Sequence, residues 1–104
     1  METNKLNLYP IPLPDVMGKI IDSEAVIILT NQGQVKVLNE VGARIWELAD
    51  GYRKISDIVK IMSDEFDANF GMIEEDTLDF IDQLVSKGML RISFEPLNKE
   101  APTV

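Results

Sequence analysis

The chain contains neither cysteine nor histidine among its 104 residues. Without cysteine it has no disulfide, no thiolate nucleophile and no thiolate ligand for zinc or an iron–sulfur cluster. Without histidine it lacks the commonest general base and the commonest transition-metal ligand. A phosphate-binding glycine motif and the ligand spacing of an EF-hand are missing too. The sequence therefore predicts a protein that is not an enzyme by itself and holds no metal or cofactor.

Positively charged residues are also scarce. The chain has 10 Lys and Arg and 18 Asp and Glu, which gives a net charge of −8. Such a surface repels nucleic-acid phosphates and anionic lipids. No apolar run approaches the ~20 residues of a membrane span. The first residues, METNKLNLYPIPLPD, lack the basic and then apolar segments of a secretory signal. We therefore expect a cytoplasmic protein that binds neither nucleic acid nor membrane.

Three prolines, Pro10, Pro12 and Pro14, alternate with apolar residues near the start of the chain. Each proline fixes its own φ angle and biases the preceding residue toward extended backbone. The missing N–H groups exclude a helix and a central strand. Residues 1–15 are therefore predicted to form an extended arm.

Three strands are predicted after the arm. Ala25–Thr30 is apolar and β-branched, which is typical of a buried strand, and Gln34–Leu38 alternates with Val35 and Val37 on one face. The NQGQ segment between these two strands has the composition of a turn, so the pair forms a hairpin. Val16–Asp22 is predicted as the third strand of the same sheet.

Three helices are predicted next. Asn39 suits the N-cap of a helix over Glu40–Asp50, and Gly51 suits its end. Ser56 is predicted to cap the second helix. The third helix, Ile73–Lys87, has apolar residues at helical spacing and is followed by a glycine.

The MLRISF segment can add a short strand, and residues 95–104 are predicted to be a flexible tail. The order of three strands, three helices and a short strand is that of a winged helix-turn-helix. The predicted fold is therefore α+β, with a three-stranded antiparallel sheet followed by three helices in one domain of residues 16–94.

A winged helix suggests DNA binding, but the third helix argues against it. Its segment MIEEDTLDFIDQLVSKG carries five carboxylates and one lysine, whereas DNA recognition needs basic or amide side chains.

The remaining means of recognition in this chain is hydrogen bonding by the backbone of a strand. If Gln34–Leu38 pairs with Ala25–Thr30 on one side, its other edge can accept an incoming strand. A short edge shielded by twist and by nearby helices is the plainer alternative.

The segment LNEVGARIWELADG, followed by SDIVKIMSDEFD and DTLDFIDQLVSKGML, resembles the PqqD-like proteins. These proteins are also called recognition elements of ribosomally made, post-translationally modified peptides. The resemblance covers Val16 to Ile92, and LNEVGARIWELADG is its most specific part.

The resemblance implies that the domain binds the leader segment of a precursor peptide. The leader would add a strand to Gln34–Leu38, lie in a groove against Ile73–Lys87, and so be presented to a modifying enzyme. That enzyme would be a radical SAM enzyme, a cyclodehydratase or a protease. The expected peptide-binding residues are Gln34, Val35, Lys36, Val37 and Leu38 of the strand and Thr77, Leu78, Ile81, Asp82 and Val85 of the helix.

Three questions stay open at this point. Periodicity does not select which flank of the third helix faces the groove. One flank carries Leu78, Asp82 and Val85, and the other carries Thr77, Phe80 and Lys87. A homodimer through paired strand edges is compatible with the sequence. The alternative function is that of a degenerate winged helix acting as an interaction or regulatory domain without a peptide client.

Overall fold

The computed structural model describes residues 5–29 and 33–97. A 3-10 turn at Lys5–Asn7 precedes the regular elements. The strands are β1 (Tyr9–Pro12), β2 (Val16–Ile21), β3 (Glu24–Leu29), β4 (Gln34–Leu38) and β5 (Leu90–Ser93), and the helices are α1 (Glu40–Leu48), α2 (Ile55–Phe66) and α3 (Phe70–Ser86). Strands β2 to β4 form a three-stranded antiparallel sheet in the order β2-β3-β4. The predicted α+β fold, with this sheet followed by three helices, is confirmed.

The main sheet has an inner and an outer face because side chains alternate along each strand. Ala25, Ile27 and Leu29 of β3 are buried on the inner face, together with Leu38 of β4. This face packs against the helices, and the shared core includes Ile55, Ile58, Met62, Ile81 and Leu84. Within the described residues, no helix is both long and apolar enough to cross a bilayer.

The proline-containing segment packs on the domain through a strand of its own. β1 pairs antiparallel with β5, and Pro10 lies opposite Ile92. Proline is tolerated here because, in the described part of the chain, β1 pairs with β5 alone. The carbonyl of Leu8 accepts a hydrogen bond from the N–H of Ile55 at 2.9 Å, and Ile11 is buried. Within the predicted arm of residues 1–15, Tyr9–Pro12 is extended, whereas Lys5–Asn7 form a 3-10 turn and residues 1–4 lie outside the described residues. The sequence did not predict this second sheet.

The strand boundaries differ from the predictions by one residue at two ends. Asp22 was placed in a strand, but it adopts φ 49° in the turn between β2 and β3. β3 begins at Glu24, and the predicted last residue, Thr30, lies outside the described residues, as do the first two residues of the NQGQ turn. Gln34–Leu38 is confirmed as β4.

The start of α1 is confirmed, but its end is not. The Asn39 side chain accepts a hydrogen bond from the N–H of Gly42 at 2.9 Å, which is the expected capping contact. α1 ends at Leu48 rather than at Asp50. Asp50 leaves the helix because its carboxylate accepts the N–H of Tyr52 at 2.9 Å, and Gly51 adopts φ +87° in that turn.

The predicted N-cap of α2 is wrong. Ser56 lies inside the helix, which begins at Ile55. The carboxylate of Asp57 accepts the N–H of Lys54 at 3.0 Å, so the first turn closes two residues earlier. α3 begins at Phe70 rather than at Ile73, because the Asn69 side chain accepts the N–H of Met72 at 3.2 Å.

An ion pair joins α1 to α2 across the surface. The guanidinium of Arg44 donates to Glu65 at 2.8 and 2.7 Å and to Glu47 at 2.7 Å. These hydrogen bonds hold the pKa of the Glu65 carboxyl below its usual range. Both partners are partly exposed, so the pair orients the two helices more than it stabilises the fold.

We expect Gly18→Ala to destabilise the protein through contact with Trp46. A methyl group at Gly18 would lie 2.5 Å from Nε1 of Trp46, so the indole or the strand would have to shift. Overpacking of this kind costs about 1–3 kcal/mol. Urea unfolding followed by circular dichroism measures the cost. Gly18→Ala should cost clearly less in a Trp46→Phe background, and an equal cost in both backgrounds would contradict the contact.

Candidate functional site

β4 is an edge strand whose second side has no strand partner in the described part of the chain. In an antiparallel pair, the N–H and C=O groups of alternate residues point away from the partner strand. From Val35 to Leu38, the backbone groups on this open side therefore have no strand partner among the described residues. The side chains of Val35 and Val37 are 62% and 66% exposed, so the described structure leaves the outer face of this strand largely uncovered.

A groove of about 360 Å³ runs beside this edge. One wall comes from β4, the floor from the first two turns of α1, and the other wall from α3. Its lining residues are Lys36, Val37, Leu38 and Asn39 from the strand and the α1 cap, Val41, Gly42 and Ile45 from α1, and Asp76, Asp79, Phe80 and Gln83 from α3. An extended segment placed along β4 would therefore have α3 on its other side.

Gly42 sets how closely α1 and α3 approach in the groove. A methyl group at this position would lie 3.1 Å from Cζ of Phe80, which is tighter than most real contacts. The missing side chain lets the Phe80 ring lie against the start of α1. Phe80 is half-buried, and it provides an apolar surface at the base of the α3 wall together with Val41.

The groove carries both signs of charge, with negative charge in excess. Asp76 and Asp79 lie on the α3 wall, and Lys36 lies on the β4 wall. Within residues 5–29 and 33–97, none of these three forms an ion pair. A bound segment with a basic side chain opposite α3 would therefore find uncommitted carboxylates.

The acidic side chains do not assemble a metal site. Among the described residues, no group of three or more Asp and Glu side chains could hold a metal ion. The two groove carboxylates, Asp76 and Asp79, can pair with a cationic side chain of a bound segment.

The structure brings part of the predicted site together. Lys36, Val37 and Leu38 line the groove, whereas Gln34 and Val35 lie farther along the same strand. All five belong to the edge strand, so their backbone groups keep the predicted position. Whether they bind a peptide stays a prediction.

The predicted helix residues lie away from the groove. The exposed fraction of Thr77 and of Ile81 is only 1%, so both side chains face the core. Leu78 and Val85 pack against the core from the flank that does not line the groove. Asp82 lies near the start of the chain, where its carboxylate binds the Lys5 ammonium at 3.1 Å. A peptide-binding role for these five residues stays a prediction, and the geometry of this groove does not favour it.

The α3 residues that line the groove form one stripe along the helix, and the spacing of this stripe can be recognised in the sequence. Asp76, Asp79, Phe80 and Gln83 follow the i, i+3, i+4, i+7 spacing of a single helix face. Of these four, only Phe80 was assigned to a flank of the helix. The stripe is visible in the sequence, but its orientation depends on how α1 packs through Gly42.

A family model now matches the part of the chain that builds this groove. The model described as Coenzyme PQQ synthesis protein D (PqqD) matches residues 24–90, which reach from β3 to the start of β5. The chain belongs to the PqqD family. The matched residues include β4, all three helices and every groove residue.

Two solved structures share the fold of this PqqD-family chain. One is TbiB1 in complex with the TbiA(beta) leader peptide, with a TM-score of 0.73, 28% sequence identity, and coverage of 78% of this chain and 94% of TbiB1. The other is a lasso peptide synthetase B1 complexed with the leader peptide, with a TM-score of 0.72, 18% identity, and coverage of 79% and 96%. At 18% identity the second likeness shows the fold alone. No curated protein matches the chain significantly.

Hydrogen exchange should show that β4 is open on one side. We expect alternate amides of Gln34–Leu38 to exchange rapidly and the others slowly, because only alternate N–H groups can bond to β3. The amides of β3 are the control, since this strand is paired on both sides, and all of them should exchange slowly. Uniform protection along β4, measured by NMR, would mean that the edge is covered.

Proposed function

We propose that this PqqD-family domain binds the leader segment of a ribosomally made precursor peptide by adding the leader as a strand to β4. One observation carries the proposal: the open edge of β4 runs beside a groove walled by α3. The 28% identical TbiB1 is a protein whose structure contains a leader peptide. That likeness supports a peptide as the occupant of the edge.

Strand addition divides the recognition between backbone and side chains. Backbone hydrogen bonds to β4 supply affinity that depends little on sequence, and pockets for alternate side chains supply specificity. Alternate residues of the leader strand would point to the inner side of the sheet, where the groove lies. There they would meet Val41 and Phe80 at the base and the two carboxylates, Asp76 and Asp79, above them.

This placement selects one flank of α3 as the peptide contact. The stripe of Asp76, Asp79, Phe80 and Gln83 faces the groove, so we assign specificity to it. An apolar leader residue would pack on Phe80, and a basic residue would pair with Asp79. The net charge of −8 adds a long-range attraction for a basic leader.

The domain would act as a binding partner and not as a catalyst. It has no cysteine and no histidine, which are among the commonest catalytic nucleophiles and general bases. The chemistry would come from a separate modifying enzyme to which the bound leader directs the precursor. The class of that enzyme (radical SAM enzyme, cyclodehydratase or protease) and the cytoplasmic location stay predictions.

A proline scan tests the strand addition. Val35→Pro, Lys36→Pro and Val37→Pro each remove one N–H, and alternate N–H groups face the open side. Titration of a labelled leader peptide that the unaltered chain binds measures affinity, and circular dichroism selects the folded variants. At least one folded variant should bind about tenfold more weakly, or about 1.4 kcal/mol.

The matched control lies on the opposite edge of the sheet. The control variants are Lys19→Pro and Ile20→Pro in β2. Whichever of them folds should bind the leader with unchanged affinity. If all folded β4 variants bind the leader as well as the unaltered chain does, strand addition at β4 is wrong.

Charge reversal on α3 tests which flank contacts the leader. Asp79→Lys should weaken binding of a leader with basic residues several-fold, because Asp79 lines the groove. Asp82→Lys, three residues along the same helix, should change it less than twofold, since it removes only an exposed ion pair with Lys5. Asp64→Lys on α2 serves as a second control. Weakening by Asp82→Lys with Asp79→Lys neutral would assign the contact to the other flank.

A further inference from the structure

The outer face of the main sheet is apolar across all three strands. One cross-strand row consists of Met17, Ile28 and Val35. The next row consists of Lys19, Val26 and Val37. Ile21 continues the face at the end of β2, where it lies opposite Glu24. Of these positions, Val37 also lines the β4 side of the groove.

These side chains are far more exposed than apolar residues on a covered sheet face. The exposed fractions are 64% for Met17, 49% for Ile21, 39% for Ile28, 62% for Val35 and 66% for Val37. Single exposed apolar residues are common, but a contiguous exposed patch marks an interaction surface. Because the helices bury the inner face of the sheet, a partner has to come from outside the described residues to cover the outer face.

The charges on this face indicate what kind of partner fits it. Across the described strands β2, β3 and β4, Lys19 and Glu24 are the charged residues of the outer face, and they have opposite signs. Neither forms an ion pair with another described residue. In a two-fold interface the same patch meets itself, so that residue i contacts j and j contacts i. A face with one cation and one anion is complementary to itself, because the cation of each copy can lie beside the anion of the other.

The distribution of the remaining charge agrees with the same arrangement. The carboxylates of α3, including Asp76, Asp79 and Asp82, lie on the helical side of the protein, behind the core. Contact through the outer sheet face would bring two neutral surfaces together and keep the acidic helices apart. Each copy has a net charge of −8, but the acidic helices of the two copies would lie far apart. Salt would therefore screen most of the repulsion between them.

We propose that a second copy of this chain covers the outer sheet face in a two-fold, face-to-face dimer, with Lys19 of each copy beside Glu24 of the other. This inference does not depend on the proposed function. The dimer covers the side chains of Val35 and Val37, of which Val37 also lines the groove, whereas the α3 wall of the groove lies on the other side of the sheet. The interface is therefore different from a dimer formed by pairing two β4 edges.

Sedimentation equilibrium of the full, untagged chain from micromolar to millimolar concentration tests the dimer. We expect a reversible monomer–dimer equilibrium that strengthens when salt is added, because screening removes repulsion and leaves the apolar contact intact. Met17→Lys should weaken the dimer at least tenfold. Met72→Lys on α3 is its matched control, since Met72 is also 64% exposed, and it should have no effect.

A charge swap tests the pairing of Lys19 with Glu24. Lys19→Glu and Glu24→Lys should each weaken self-association, whereas an equimolar mixture of the two variants should form heterodimers. Both positions are exposed, so the variants are expected to fold even if Met17→Lys does not.

Three outcomes would overturn the proposal. The first is a chain that stays monomeric over the whole concentration range, which would leave the face to a different protein. The second is a dimer that Met17→Lys and Met72→Lys affect equally. The third is a dimer that Lys36→Pro disrupts and Met17→Lys does not, because that pattern identifies pairing of the β4 edges.

Discussion

The one-sided pairing of β4 is the constraint on which the rest of the site depends. β3 satisfies one side of the strand, and α1 begins at Glu40, directly after the Asn39 cap. This tight connection leaves no loop that could fold back and cover the edge. The edge is therefore held at a fixed distance from α3, and the gap between them is the groove. An added strand would pair with the side of β4 that has no strand partner among residues 5–29 and 33–97.

The elements around the edge keep that gap constant. Gly42 lets Phe80 pack on α1, and Gly18 leaves room for Trp46 beneath β2. The β1–β5 pair holds the two ends of the domain together, and the Leu8 carbonyl bonds to the first N–H of α2. Preorganisation of this kind lowers the conformational entropy lost when a flexible peptide binds. These contacts would favour one arrangement of edge and groove, so that most of the ordering on binding would fall on the leader.

The sequence predicted the features that depend on local patterns, and it did not predict those that depend on packing. Alternation identified Gln34–Leu38 correctly, and the Asn39 cap was recognised from its residue type. Ser56 was assigned as a cap because serine is a common one, whereas the Leu8 contact and Asp57 close the helix earlier. Both flanks of α3 carry apolar and acidic residues at helical spacing, so periodicity could not orient the helix. That choice depends on the contact of Phe80 with Gly42, which joins residues far apart in the chain.

The central claim is that a leader peptide lies between β4 and the groove-facing stripe of α3. Intermolecular nuclear Overhauser effects between an isotope-labelled chain and an unlabelled leader test it most directly. The account predicts contacts from leader backbone protons to amides of Gln34–Leu38, and from leader side chains to the Phe80 ring. Contacts confined to α2, or to the Leu78 and Val85 side of α3, with β4 silent, would contradict it even if the peptide binds tightly.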